Sequence, residues 1–128
     1  MVITNNSYGD IISCDYHGTY DLISRTMDQM AIDYPNLSNV FASGNSGGST
    51  CAPFATGYRT VLGGYQSAKN VMTVGATTDS LVISSFSSKG PVRDGRVKPE
   101  ITAMGQRLMS AGTTNIYYSN QGTSMASP

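Results

Sequence analysis

An α/β domain built on a parallel sheet is the fold class this sequence predicts, and three observations carry the prediction. A β-prone run, an amphipathic helical stretch and a second β-prone run follow one another within residues 2–42. Short apolar runs recur downstream, at Val71–Gly75 and Leu81–Ile83. Between them lie turns dense in Gly, Ser and Asn, with no internal repeat, linker or low-complexity tract.

Val2-Ile3-Thr4 is the first β-prone run, broken by the turn chemistry of Asn6-Ser7-Tyr8-Gly9-Asp10. From Ile23, apolar residues at Met27, Met30, Ala31 and Tyr34 trace one helical face. Thr19 suits the N-cap, Asp21 the first turn, and Pro35 closes the helix. Val40-Phe41-Ala42 resumes a strand that ends in Ser43-Gly44-Asn45-Ser46-Gly47-Gly48. A crossover through a helix of this length implies parallel strands joined with right-handed sense. Val71–Gly75 and Leu81-Val82-Ile83 read as further strands, Ser84 to Gly95 as loop, and Ile116-Tyr117-Tyr118 as a last short strand.

The chain has 128 residues, enough for one domain, and 39% of them are hydrophobic. Eight basic and eight acidic side chains leave no net charge. A neutral surface gives no electrostatic reason to expect nucleic acid or an anionic membrane as partner. No apolar run reaches the length of a membrane span, and the opening MVITNNSYGD lacks the charged-then-apolar pattern of a signal peptide.

In open α/β sheets, sites form beyond the carboxyl ends of the strands. That rule singles out Ser7-Tyr8-Gly9 and Ser43-Gly44-Asn45-Ser46-Gly47, which should share one edge of the sheet. Cys14 and Cys51 each follow one of these loops. Their spacing is no zinc pattern, and a Cys14–Cys51 disulfide and two buried thiols are both compatible with it.

Four stretches in order resemble the subtilisin-like serine proteases: SYG at 7–9, SGNSG at 43–47, SFSSKGP at 85–91 running into DGRVKPEI at 94–101, and GTSMASP at 122–128. Together they cover nearly the whole chain. The resemblance implies the C-terminal portion of the catalytic core, a single partial peptidase domain over 1–128. That portion would lack the upstream segments bearing the family's Asp and His, and would stop before the nucleophile helix is complete. On that reading Ser124 should lie on a frayed tail.

By the same resemblance Ser124 is the nucleophile and Asn45 the oxyanion-hole residue, whose amide N–H stabilises the charge on a tetrahedral intermediate. Ser7, Tyr8 and Gly9 resemble the edge that pairs with an extended substrate backbone. Ala42, Ser43 and Gly44 resemble the opposite wall of the pocket for the side chain before the scissile bond, and Thr123 belongs to the substrate-binding set. Loop residues 46 to 68 would shape the pocket floor. Two departures from the family pattern, Met104 before Gly105 and Gln121 before Gly122, bear on loop geometry rather than on the chemistry.

His17-Gly18-Thr19 imitates the start of the family's histidine motif, and Asp15 stands beside it. A triad of Asp15, His17 and Ser124 is nevertheless rejected, because the family's His precedes the SYG strand. His17 reads instead as an exposed loop histidine.

Two functions from different classes follow. One is part of an endopeptidase that forms an acyl-enzyme on Ser124 and is inactive as the isolated chain. The other is a non-catalytic module that binds peptides or a partner through the Ser7–Gly9 edge. The partners implied are a polypeptide substrate, the missing N-terminal segment or a second copy, with no nucleic acid and no membrane. Localisation would be extracellular or periplasmic. No metal ligand set and no cofactor is expected, and a calcium site in a longer parent protein is not legible in the sequence.

Overall fold

A computed structural model describes residues 1–10 and 13–128 of the chain. Its centre is a four-stranded, all-parallel sheet of β1 (Val2–Asn6), β2 (Leu37–Ala42), β3 (Met72–Thr77) and β4 (Ile101–Met104), arranged in that order. The register sets Asn6 against Phe41 and Ala42 against Val74. The segments that leave β1 and β2 therefore emerge side by side at one sheet edge.

Helix α1 (Leu22–Asp33) makes the first crossover. Its cap is Asp21 rather than Thr19. Asp21 Oδ1 accepts the Ser24 N–H at 3.0 Å, and the Asp21 N–H donates back to Ser24 Oγ, so two orphan groups of the first turn are satisfied reciprocally. Thr19 is committed elsewhere, its carbonyl accepting from Gly64 N–H and its own N–H donating to Tyr16. At the other end the helix stops at Asp33, two residues before Pro35.

The sheet is covered on both faces, which explains why β3 is buried at five consecutive positions. On one face Phe41 packs with Met27 and Met30 of α1, Ala68, Val71 and Tyr65. On the other, Val74 and Ala76 meet Ala126, Val40, Phe86 and Ala103. Phe41 stacks on Tyr65 at 5.4 Å between centroids and meets Tyr8 edge-on at 5.9 Å, tying β2 to the segment after β1.

Two more expectations fail locally, at Leu81–Ile83 and at the C-terminal tail, while the expected last strand forms in a hairpin of its own. Leu81-Val82-Ile83 forms no strand. Leu81 has φ +60° in a turn that begins at Thr78, and only an isolated bridge joins Ile83 to Thr77. Leu108–Ala111 (β5) pairs antiparallel with Tyr117–Asn120 (β6), so the last strand belongs to a hairpin outside the main sheet. Finally, Thr123–Ala126 is not frayed but forms a short helix, α2, with Ala126 buried against Val74 and Ala76.

Candidate active site

The sheet edge after β1 and β2 holds a small pocket of about 110 Å³ lined by Ser7, Tyr8, Gly9, Ala42, Gly44, Asn45, Leu62, Thr123 and Ser124. Eight of these nine were named individually in the sequence; Leu62 comes from the 46–68 stretch expected to shape the pocket floor. Ser43 stands behind the pocket, fully buried, with its N–H donating to Val74 and its carbonyl accepting from Leu62.

Asn45 and Thr123 lie 78 residues apart in sequence and are joined by two hydrogen bonds, with a third from the neighbouring Gly44. The Thr123 N–H donates to Asn45 Oδ1 at 2.9 Å, the Thr123 hydroxyl donates to the same oxygen at 3.1 Å, and the Gly44 N–H donates to Thr123 Oγ1 at 3.1 Å. Two donors on Oδ1 fix which end of the carboxamide is oxygen, so Nδ2 is left as the donor end. Gly44 has φ +112°, and a Cβ there would sit 2.6 Å from Leu62 Cγ, so only glycine fits this bend beside the pocket.

Ser124 opens from the first turn of α2. Its hydroxyl lies 3.4 Å from the Ser7 carbonyl, and Ser7 Oγ in turn donates to the Ser124 carbonyl at 3.0 Å and pairs with Ser127 Oγ at 3.1 Å. These bonds replace the frayed tail anticipated from the sequence. Gly122 and Gly105 hold the turn from below: Gly122 N–H donates to Gly105, and Gly105 N–H to Thr77. A Cβ on Gly105 would come within 2.7 Å of both Ala76 Cβ and the Gly122 carbonyl, so this glycine is fixed by close approach even though Met104 precedes it.

Gln66 is a site-building residue that sequence reasoning missed. It is 0% exposed, and its Nε2 donates to the Tyr8 carbonyl at 2.8 Å and to the Ala42 carbonyl at 3.1 Å. One carboxamide thus spans the two walls of the pocket. The serine-rich stretch 84–88 has a similar bracing role. Ser88 Oγ accepts from Ser46 N–H, Ser87 Oγ accepts from Ala76 N–H, and the Ser88 N–H donates to Gly44. Beneath it Lys98 is buried, with Nζ donating to the Val71 carbonyl and Thr73 Oγ1 and pairing with Glu100 at 2.5 Å. Burial pushes the Lys98 ammonium below its usual range, and Glu100 opposes that shift.

His17 is not the exposed histidine anticipated. It is 3% exposed and does not line the pocket. Its Nδ1 lies 3.8 Å from Cys51 Sγ, and Cys14 and Cys51 are joined in a disulfide. Its loop is pinned by Gly18, whose N–H donates to Val61, and by Arg93, whose side chain donates to the carbonyls of Cys14, Asp15 and His17. Burial, helped by the Arg93 charge, lowers the His17 pKa below the ordinary imidazole value. Among the described residues, Ser124 Oγ has no imidazole or carboxylate hydrogen-bonded to it.

The fold has clear counterparts among known proteins. The prenylagaramide maturation protease PagA superposes with a TM-score of 0.72 at 25% identity, covering 98% of this chain and 39% of that one. The self-cleaved protease domain of PatA superposes with a TM-score of 0.69 at 22% identity, covering 98% and 40%, a likeness of fold. C5a peptidase of Streptococcus pyogenes is 42% identical over 52 residues, which is 41% of this chain and 4% of that protein. The serine protease/ABC transporter B family protein tagD of Dictyostelium discoideum is 45% identical over 62 residues, covering 36% of this chain and 3% of its own length. The chain thus spans a few hundredths of the length of these curated relatives and about two-fifths of the solved structures. The sequence model of the subtilase family, Peptidase_S8, matches residues 1–128 from end to end, and the chain belongs to that family.

Proposed function

We propose that this chain carries the nucleophile and the oxyanion donor of a serine endopeptidase. The observation that carries the reading is the locked pair of Asn45 and Thr123 beside Ser124. An extended peptide would pair along Ser7–Gly9, its N–H displacing the Ser124 hydroxyl from the Ser7 carbonyl. Ser124 Oγ then attacks the scissile carbonyl and forms an acyl-enzyme, while Asn45 Nδ2 donates to the oxygen that becomes negative. Because Oδ1 is already held by two donors, Nδ2 needs no reorganisation at that moment. The loss measured on removing a subtilisin's own oxyanion asparagine, about 2.7–4 kcal/mol, sets the scale for this contribution.

The proton of Ser124 must go to a base outside residues 1–128. His17 is the only histidine of the chain, and it is buried against the disulfide, away from the pocket. The polypeptide substrate and the segment that supplies the Asp and His are therefore the proposed partners. The chemistry calls for no cofactor. A disulfide fits an extracellular or periplasmic setting. Among the described residues, no helix is long and apolar enough to cross a membrane.

The test is complementation. Mixing the chain with a subtilase segment that bears the Asp and His should give peptide hydrolysis, abolished in Ser124→Ala and lowered by roughly 10²–10³ in Asn45→Ala. A second reading, a peptide-binding module, is favoured by the exposure of Ser7 and Tyr8 beside a braced wall. Stable peptide binding with no activity on complementation would replace the first reading by the second.

A further inference from the structure

We propose that Cys14, His17 and Cys51 form a three-ligand site for a thiophilic divalent cation, Zn²⁺ foremost, whenever the two cysteines are thiols rather than a disulfide. Their ligand atoms converge from two segments of the chain and all lie within 4.8 Å of one another. The Nδ1 of His17 is 3.8 Å from Cys51 Sγ. A tetrahedral zinc with Zn–S near 2.3 Å and Zn–N near 2.0 Å sets these two atoms about 3.5 Å apart, so the imidazole already stands close to ligating distance.

His17 is buried with its Nδ1 turned to Cys51, while Nε2, the other ring nitrogen, has no hydrogen-bond partner among the described residues. The imidazole is thus held in the interior with Nδ1 free of any partner other than the cysteine sulfur.

The ligand-bearing turn is also held in place without the disulfide. Tyr16 and His17 N–H groups both donate to the Ser13 carbonyl. Gly18 is bonded on both sides, to Val61 and to Arg93. The Arg93 guanidinium gathers the carbonyls of Cys14, Asp15 and His17. Opening the disulfide therefore leaves His17 where it is, and side-chain rotation alone lets the two sulfurs separate around a cation. Cys14 is only half-buried, which gives the ion an entry path and leaves a fourth position for water.

The steps balance. A dithiol reductant donates two electrons and two protons to the Cys14–Cys51 bond and becomes a disulfide itself; a newly made chain starts as the dithiol and needs no such step. Zn²⁺ then displaces the two thiol protons to solvent and takes both thiolates and the neutral imidazole. Because Cys14 follows the Ser7–Gly9 wall and Cys51 follows the Asn45 loop, the bound ion ties the same two segments that the disulfide ties.

The test is a Co²⁺ titration of the chain, anaerobically reduced with a phosphine. The expected result is one equivalent bound, with thiolate-to-cobalt charge transfer and tetrahedral visible bands, both removed by Zn²⁺. The disulfide form should bind none, and His17→Asn should bind at least tenfold more weakly. Should His17→Asn fail to fold, zinc-edge X-ray absorption of the loaded wild-type chain reads the ligands directly, with two sulfurs and a nitrogen from imidazole expected. If the reduced chain loses structure, Zn²⁺ should restore its circular dichroism. No charge transfer, a sulfur shell without imidazole, or binding without native dichroism would each overturn the proposal.

Discussion

Thr123→Val tests the joint on which the site depends. Valine matches threonine in shape, so the change removes the hydroxyl and little else at a fully buried position. Two bonds go with it: the donation to Asn45 Oδ1 and the acceptance from Gly44 N–H. Losing a neutral hydrogen bond costs about 1 kcal/mol, and leaving the buried Gly44 N–H unpaired costs about 1–3 kcal/mol more. A total of about 2–4 kcal/mol is a large part of the ~5–15 kcal/mol that holds a typical domain together. Thr123→Ser keeps the hydroxyl and loses one methyl, at about 1 kcal/mol. Urea unfolding followed by circular dichroism should show the valine variant well below the serine variant, with the same slope for both. Hydrogen exchange at the Gly44 amide should accelerate in the valine variant alone. A valine variant as stable as wild type, or a serine variant as weak as the valine one, would refute the assignment of these bonds.

Other consequences are equally direct. Tyr16 donates to Asp21 at 2.5 Å, and this bond, with burial and the Asp21 charge, pushes the phenol up to about 12. A raised folded-state pKa stabilises the fold fully below the unfolded value near 10, and the gain disappears as pH climbs from about 10 to 12. The stability difference between wild type and Tyr16→Phe should therefore shrink across that window, and a constant difference would contradict it. Reducing the disulfide in the presence of a chelator should cost about 4 kcal/mol on the chain-entropy account for a 37-residue separation, read as a fall in the urea midpoint. Phe41→Ala should cost about 3–5 kcal/mol by emptying the centre of one core, whereas Phe41→Leu should cost much less. Gln66→Leu strips the carbonyls of Tyr8 and Ala42 of their shared donor. It should weaken binding of an extended peptide more than a Lys69→Ala control does.

The residues that gather at the pocket were easier to read than the scaffold that holds them. Ser124, Asn45 and the Ser7–Gly9 edge sit in short motifs at strand ends, where turn residues stand out against apolar runs, and all of them line one pocket. The parallel pairing of β1 and β2 followed from a helix-length crossover and a clear helical face. Long-range braces were invisible, because a single glutamine such as Gln66 carries no local pattern that declares which carbonyls it will reach. His17 was misplaced for the same reason: a polar residue in a glycine-flanked loop reads as exposed, and the contacts that hold its loop inward, from Arg93 76 residues away and from Val61, leave no local pattern. Thr19 and Asp21 are both good caps by type, and the choice fell to tertiary bonds from Tyr16 and Gly64. Leu81–Ile83 had strand composition, but the turn at Thr78–Leu81 left it outside the sheet with Leu81 83% exposed. The β5–β6 hairpin was half seen, since Leu108–Ala111 is too short and too mixed to signal a strand alone.

The central claim is that Ser124 is a nucleophile set beside its oxyanion donor, with its base supplied from outside residues 1–128. Fluorophosphonate labelling, with Ser124→Ala as control, tests it most directly. The folded chain alone should stay unlabelled, and adding the Asp- and His-bearing segment should place label on Ser124 and nowhere else. Label on Ser124 in the chain by itself would mean that a base lies within these 128 residues, which contradicts the claim that the base comes from outside them.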